Sequence, residues 1–83
     1  MAESFIDNST EAQRNRLRDA LCCAPITTIE ARRNLDIMMP AARIFELREA
    51  GYEIHTNLIW QNTESGKPHR VAKYVLIKGS AHE

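Results

Sequence analysis

Apolar residues in this chain keep one spacing up to residue 50 and another beyond it. Leu17, Ala20, Leu21 and Ala24 recur at intervals of three and four, which gives a first helix one apolar face. Thr10-Glu11-Ala12-Gln13 fits a capping box at its start, Arg14 and Arg18 lie on its wetter side, and Pro25 ends it. Ile26-Thr27 is a short extended link. Thr27 or Thr28 caps a second helix, and Thr27 and Glu30 also have capping-box spacing. Ala31 and Leu35 form its narrow apolar stripe, with Arg33 pointing the other way, so this helix depends on packing. Asp36-Ile37-Met38-Met39 makes a tight turn, because Met39 precedes a proline and is pushed out of the helical region. Pro40 suits the first position of a third helix over residues 40–50. Its expected inward stripe is Ala41, Ile44 and Leu47, with Phe45 on the flank. Gly51 ends it in a left-handed cap that lets Tyr52 pack on Leu47.

Beyond Gly51 the period becomes two. Tyr52, Ile54, Thr56, Leu58 and Trp60 alternate with Glu53, His55, Asn57, Ile59 and Gln61. Residues 70–78 form a second strand rich in Val, Ile and Tyr. A polar loop over residues 62–69 joins the two strands into a hairpin that projects as a finger. Residues 1–9 are expected to be a flexible leader, 10–78 the folded domain, and 79–83 a flexible tail.

Composition narrows the classes of function. Eighty-three residues make one domain with a thin core. A hydrophobic share of 43% with 27% charged residues suits a globular chain and not a disordered one. No apolar run approaches the ~20 residues that span a bilayer. Acids near the N-terminus argue against a signal peptide, so the expected location is cytoplasmic, with no membrane partner. Cys22 and Cys23 are adjacent and are read as reduced thiols. His55, His69 and His82 have no ligand spacing with them, so no metal site is expected. There is no glycine-rich phosphate loop, nucleophile elbow or zinc-hydrolase motif. The chain is therefore expected to be no enzyme, with no cofactor and no small-molecule ligand. The formal net charge is zero, yet residues 14–78 hold all eleven basic residues against seven acids, a balance of +4. A basic centre behind an acidic leader is compatible with DNA.

The order helix, short strand, helix, turn, helix, hairpin resembles the winged helix-turn-helix arrangement, an α+β fold. Two stretches carry a closer resemblance. One is Ala42-Arg43-Ile44-Phe45-Glu46-Leu47-Arg48-Glu49-Ala50-Gly51, and the other is Arg70-Val71-Ala72-Lys73-Tyr74-Val75-Leu76. Both are similar to a family of small bacterial and phage helix-turn-helix proteins, over residues 14–78. The turn before Pro40 is shorter than in many repressors of this class. The resemblance implies a DNA-binding, transcription-regulating protein whose third helix enters the major groove while the wing touches the sugar–phosphate backbone.

On that expectation Met39, Ala42, Arg43, Glu46 and Ala50 face away from the apolar stripe. Arg43 could fork onto guanine and Glu46 accept from cytosine, or the two could simply pair at a spacing of three. Arg32 and Arg33 on the second helix, with Lys67, His69 and Arg70 in the wing, are candidates for phosphate contact, or else only keep those surfaces hydrated. Thr28 stands where N–H groups could hold a phosphate, or serves only as a cap. Trp60 and Tyr74 could stack on bases, but on strands beside a thin core they are expected in the core. With Ala72, Tyr74 and Leu76 inward, Val71, Val75 and Ile77 form an outward row that either the first helix or a second copy would cover. A homodimer on double-stranded DNA is the expected assembly. The alternative is a winged-helix module that binds another protein.

Overall fold

The computed structural model describes residues 9–63 and 65–78. The leader ahead of Ser9 and the tail after Lys78 lie outside the described residues. Three helices and three strands follow in the order α1 (Thr10–Cys23), β1 (Ile26–Thr27), α2 (Thr28–Leu35), α3 (Pro40–Glu49), β2 (Glu53–Asn62), β3 (Pro68–Lys78). This α+β architecture is the one expected.

Local chemistry sets most boundaries. Ser9, one residue earlier than the expected cap, accepts the Ala12 N–H at 3.2 Å. Thr10 is therefore the first helical residue and not the cap. At α2 the capping box closes in both directions. The Thr27 hydroxyl accepts the Glu30 N–H at 3.1 Å, and the Glu30 carboxylate accepts the Thr27 N–H at 3.0 Å. Asp36 ends α2 in the left-handed region (φ 56°), a conformation that Asp tolerates better than most residues. The end of α3 is a Schellman motif: Tyr52 N–H donates to the Leu47 carbonyl, Gly51 N–H to that of Arg48, and Gly51 sits at φ 107°.

The sheet runs β1-β3-β2, antiparallel throughout, with Ile54 opposite Leu76 and Thr56 opposite Tyr74. β1 pairs with β3 through Ile26 opposite Tyr74 and Thr27 opposite Lys73. The strands reach further than expected, leaving residues 63–67 as the loop. There Gly66 N–H donates to the Thr63 carbonyl at 2.9 Å, and Gly66 takes φ 85°.

The core is one cluster of Leu17, Leu21, Ile37, Ile44, Leu47, Ile54 and Tyr74, with Ile26, Leu35, Tyr52, Ala72 and Leu76 packed around it. Leu17 and Leu21 share this cluster with Tyr74, so α1 lies on the inward face of β3, away from the outward row. Val71 and Val75 of that row are half-buried and Ile77 is exposed. Three expectations fail here. Ala24 lies past the end of α1 and is exposed, and Ala41 is also exposed, because Pro40, Ile44 and Leu47 are the buried positions of α3. Trp60 is 69% exposed, since β2 has by then run past the helices.

Candidate nucleic-acid interface

The turn between α2 and α3 sets how α3 is presented. Ile37 is fully buried within it and donates its N–H to the Ala31 carbonyl at 3.2 Å. Arg32 Nε donates to the Met38 carbonyl at 3.1 Å, and Arg16 Nε reaches from α1 to the Leu35 carbonyl at 2.8 Å. Two arginines on different helices thus satisfy carbonyls that the end of α2 and the turn leave open.

Arg43 and Glu46 turn toward α1, with the Glu46 side chain 32% exposed. The Arg43 side chain is only 15% exposed, and its guanidinium meets Glu46 Oε2 at 2.8 Å. The other carboxylate oxygen of Glu46 takes Arg14 of α1 at 3.0 Å. Arg43 also donates to Gln13 Oε1 at 3.5 Å, again on α1. The helical period places Arg43 one step from Ile44, and α1 lies along that flank. One carboxylate gripped by two guanidiniums therefore joins α3 to α1.

Arg14, and after it Arg43, hold the Glu46 carboxyl below its usual range by hydrogen bonding to its ionised form. A depressed carboxylate adds stability that is present above its unfolded value and lost as pH falls through its folded value. Wild type is thus expected to lose stability in part through Glu46 as the pH falls below the ordinary range of a glutamate. Glu46→Gln should be less stable than wild type at pH 7, and the gap should narrow on acidification. Thermal melts at pH 7 and pH 3 check this, and a gap that stays constant with pH would contradict it.

With those residues turned toward α1, the solvent face of α3 and the preceding turn is largely apolar, with Glu49 an exposed acid one turn beyond Phe45. Met38, Met39 and Phe45 are largely exposed beside Ala41, while Ala42 is half-buried and Ala50 exposed. At the far end Arg48 folds onto β2, donating to the Ile54 carbonyl and, at 2.9 Å, to Thr56 Oγ1. Sequence reasoning placed Met39 on this face but missed the exposure of Met38 and Phe45 and the role of Arg48. Met38, Met39 and Phe45, large apolar residues outside the buried positions of α3, carried the signal.

Thr28 is half-buried, and its hydroxyl donates to the Ala72 carbonyl of β3 at 3.5 Å, which braces α2 on the sheet. Arg32 and Arg33 lie in the last turn of α2 and are exposed. Lys67, His69 and Arg70 are exposed around the wing tip. Arg70 lies over the Trp60 ring, 6.0 Å from its centre, within the range of a cation–π contact. The fold thus gathers Lys67, His69 and Arg70 on the wing, sets Arg32, Arg33 and Met39 about the α2–α3 turn, and takes Arg43 and Glu46 out of the exposed face.

Three helices with a hairpin that outruns them define a winged helix-turn-helix protein. The model of a family described as a winged helix-turn-helix domain matches residues 12–79, and the chain belongs to that family. No protein of curated function and no solved structure matches the chain. No helix of the described residues is long and apolar enough to cross a membrane.

Proposed function

We propose that this protein binds double-stranded DNA and regulates transcription in the cytoplasm, as a homodimer and without enzymatic activity. The observation that carries the reading is the projecting wing of a winged helix-turn-helix family member with Lys67, His69 and Arg70 exposed around its tip. Those three side chains, with Arg32 and Arg33 of α2, would engage phosphates. Thr28 would act mainly by bracing α2 on β3.

The third helix would enter the major groove with Met39, Ala42 and Phe45 foremost. Such a face reads little by hydrogen bonding and can sense thymine methyl groups by apolar contact. Arg43 and Glu46 would serve by fixing the angle of α3 on α1. Affinity should accordingly come mostly from phosphates and vary little with sequence. The test is titration of the protein with mixed double-stranded fragments across a salt series. A log–log slope of about −2 to −4 is expected, roughly −0.9 for each phosphate neutralised by Lys67, Arg70, Arg32 and Arg33. Binding with a flat slope, or no binding, would overturn the reading.

One observation favours a second reading. Met38, Met39 and Phe45 form an exposed apolar face on the helix that should meet DNA, and faces of that kind commonly dock proteins. Under that reading the protein is an interaction module, and the same titration returns no binding at any salt concentration.

A further inference from the structure

The two edges of the sheet are unlike. β1 is two residues long and leads directly into α2, whereas β2 offers ten residues. Natural edges are commonly guarded by charges, prolines or shortness. Residues 54–62 contain no Asp, Glu, Lys, Arg or Pro.

Hydrogen-bond parity fixes which groups of β2 point off the sheet. Thr63 donates its N–H to the Lys67 carbonyl at 3.1 Å, so that pair is hydrogen-bonded. Antiparallel pairs alternate, which makes Asn62 opposite Pro68 a pair without such bonds. Pro68, having no N–H, suits that position. Continuing the alternation, the odd-numbered residues from His55 to Gln61 bond to β3. Ile54, Thr56, Leu58, Trp60 and Asn62 turn their N–H and C=O outward. Arg48 agrees with this assignment, because it finds the Ile54 carbonyl from α3 at 2.9 Å through Nε. That contact closes the inner end of the edge. The open stretch is residues 56–62.

We propose that this open edge of β2 pairs antiparallel with the β2 of a second copy, about a two-fold axis at Ile59. This names the contact for the homodimer in the reading above, and its test needs no DNA. The axis matches parity, since Leu58 then faces Trp60 of the second copy and Thr56 faces Asn62. Every residue so paired has its N–H and C=O outward. One face of the joined sheet gains two Leu58–Trp60 contacts, and the other brings Ile59 against Ile59. Leu58 and Trp60 are 60% and 69% exposed in the single chain, so both have surface to bury. The absence of charge in residues 54–62 means that no like charges meet across the axis, which favours a copy of the same strand over a charged partner.

Sedimentation of the full chain without DNA, from micromolar to submillimolar concentration, tests the pairing. Wild type should reach twice the chain mass of 9.5 kDa. Trp60→Lys should return it to 9.5 kDa with unchanged circular dichroism, because the residue is exposed. Leu58→Pro removes an outward N–H while leaving the ladder to β3, and should do the same. Ile77→Lys, on the outward row of β3, should leave the dimer intact. A wild type of 9.5 kDa throughout, a dimer that survives both β2 variants, or dissociation by Ile77→Lys would each overturn the proposal.

Discussion

Reversing two charges of the wing, Lys67→Glu with Arg70→Glu, is expected to weaken binding to mixed double-stranded DNA by more than about tenfold at about 0.1 M salt. The log–log salt slope should also fall by about two units, because each lost phosphate contact removes about 0.9 of a unit. The effect should be large because the rest of the interface offers little charge. Beyond Arg32 and Arg33 of α2, Arg14, Arg18 and Arg43 are held in ion pairs, and Arg16 and Arg48 donate to carbonyls. Arg70 is exposed and lies over the Trp60 ring, 6.0 Å from its centre. Both residues are exposed, and thermal stability should change little. Fluorescence anisotropy at several salt concentrations measures both effects. Unchanged affinity and slope would take the wing out of the DNA interface and favour the protein-docking reading.

Ile37→Ala is expected to cost about 2–5 kcal/mol of stability. A chain of this length holds about 4–12 kcal/mol in all, so the variant should be partly unfolded at 37 °C. Ile37 is fully buried although it lies in a turn, and it packs in the cluster that includes Ile44 and Tyr74. Removing its side chain leaves a void under the joint that sets the angle between α2 and α3. Ile37→Val, which deletes one methylene, should cost only about 0.5–1.5 kcal/mol. Urea titration of the three proteins orders them. A cost under about 1 kcal/mol for the alanine variant would mean that the turn collapses freely and does not anchor α3.

The element order was legible because each boundary is a local event. Pro25 and Pro40 lack an N–H, Gly51 accepts a positive φ, and Thr27 with Glu30 closes a cap within four residues. The inward face of β3 was legible for the same reason, since strand residues alternate whatever packs on them. The candidate site was legible only in part. The exposed wing residues Lys67, His69 and Arg70 could be read from a polar loop between two strands.

The facing of α3 was decided elsewhere. Helical spacing groups Ala41, Ile44 and Leu47 as readily as it groups Pro40, Ile44 and Leu47, because a short helix has too few turns to fix its apolar axis. Contact with α1 resolves the ambiguity: Arg14 and Gln13 lie thirty or more residues away in sequence and draw Glu46 and Arg43 to that side. Trp60 is a similar case. Alternation places it on the same face of the sheet as Ile54, but whether anything covers that face depends on where the helices stop. The sequence by itself determined which segments are helix or strand, and which side chains of a strand share a face. Only the tertiary structure decided which faces are covered, because covering depends on partners that no local spacing can name.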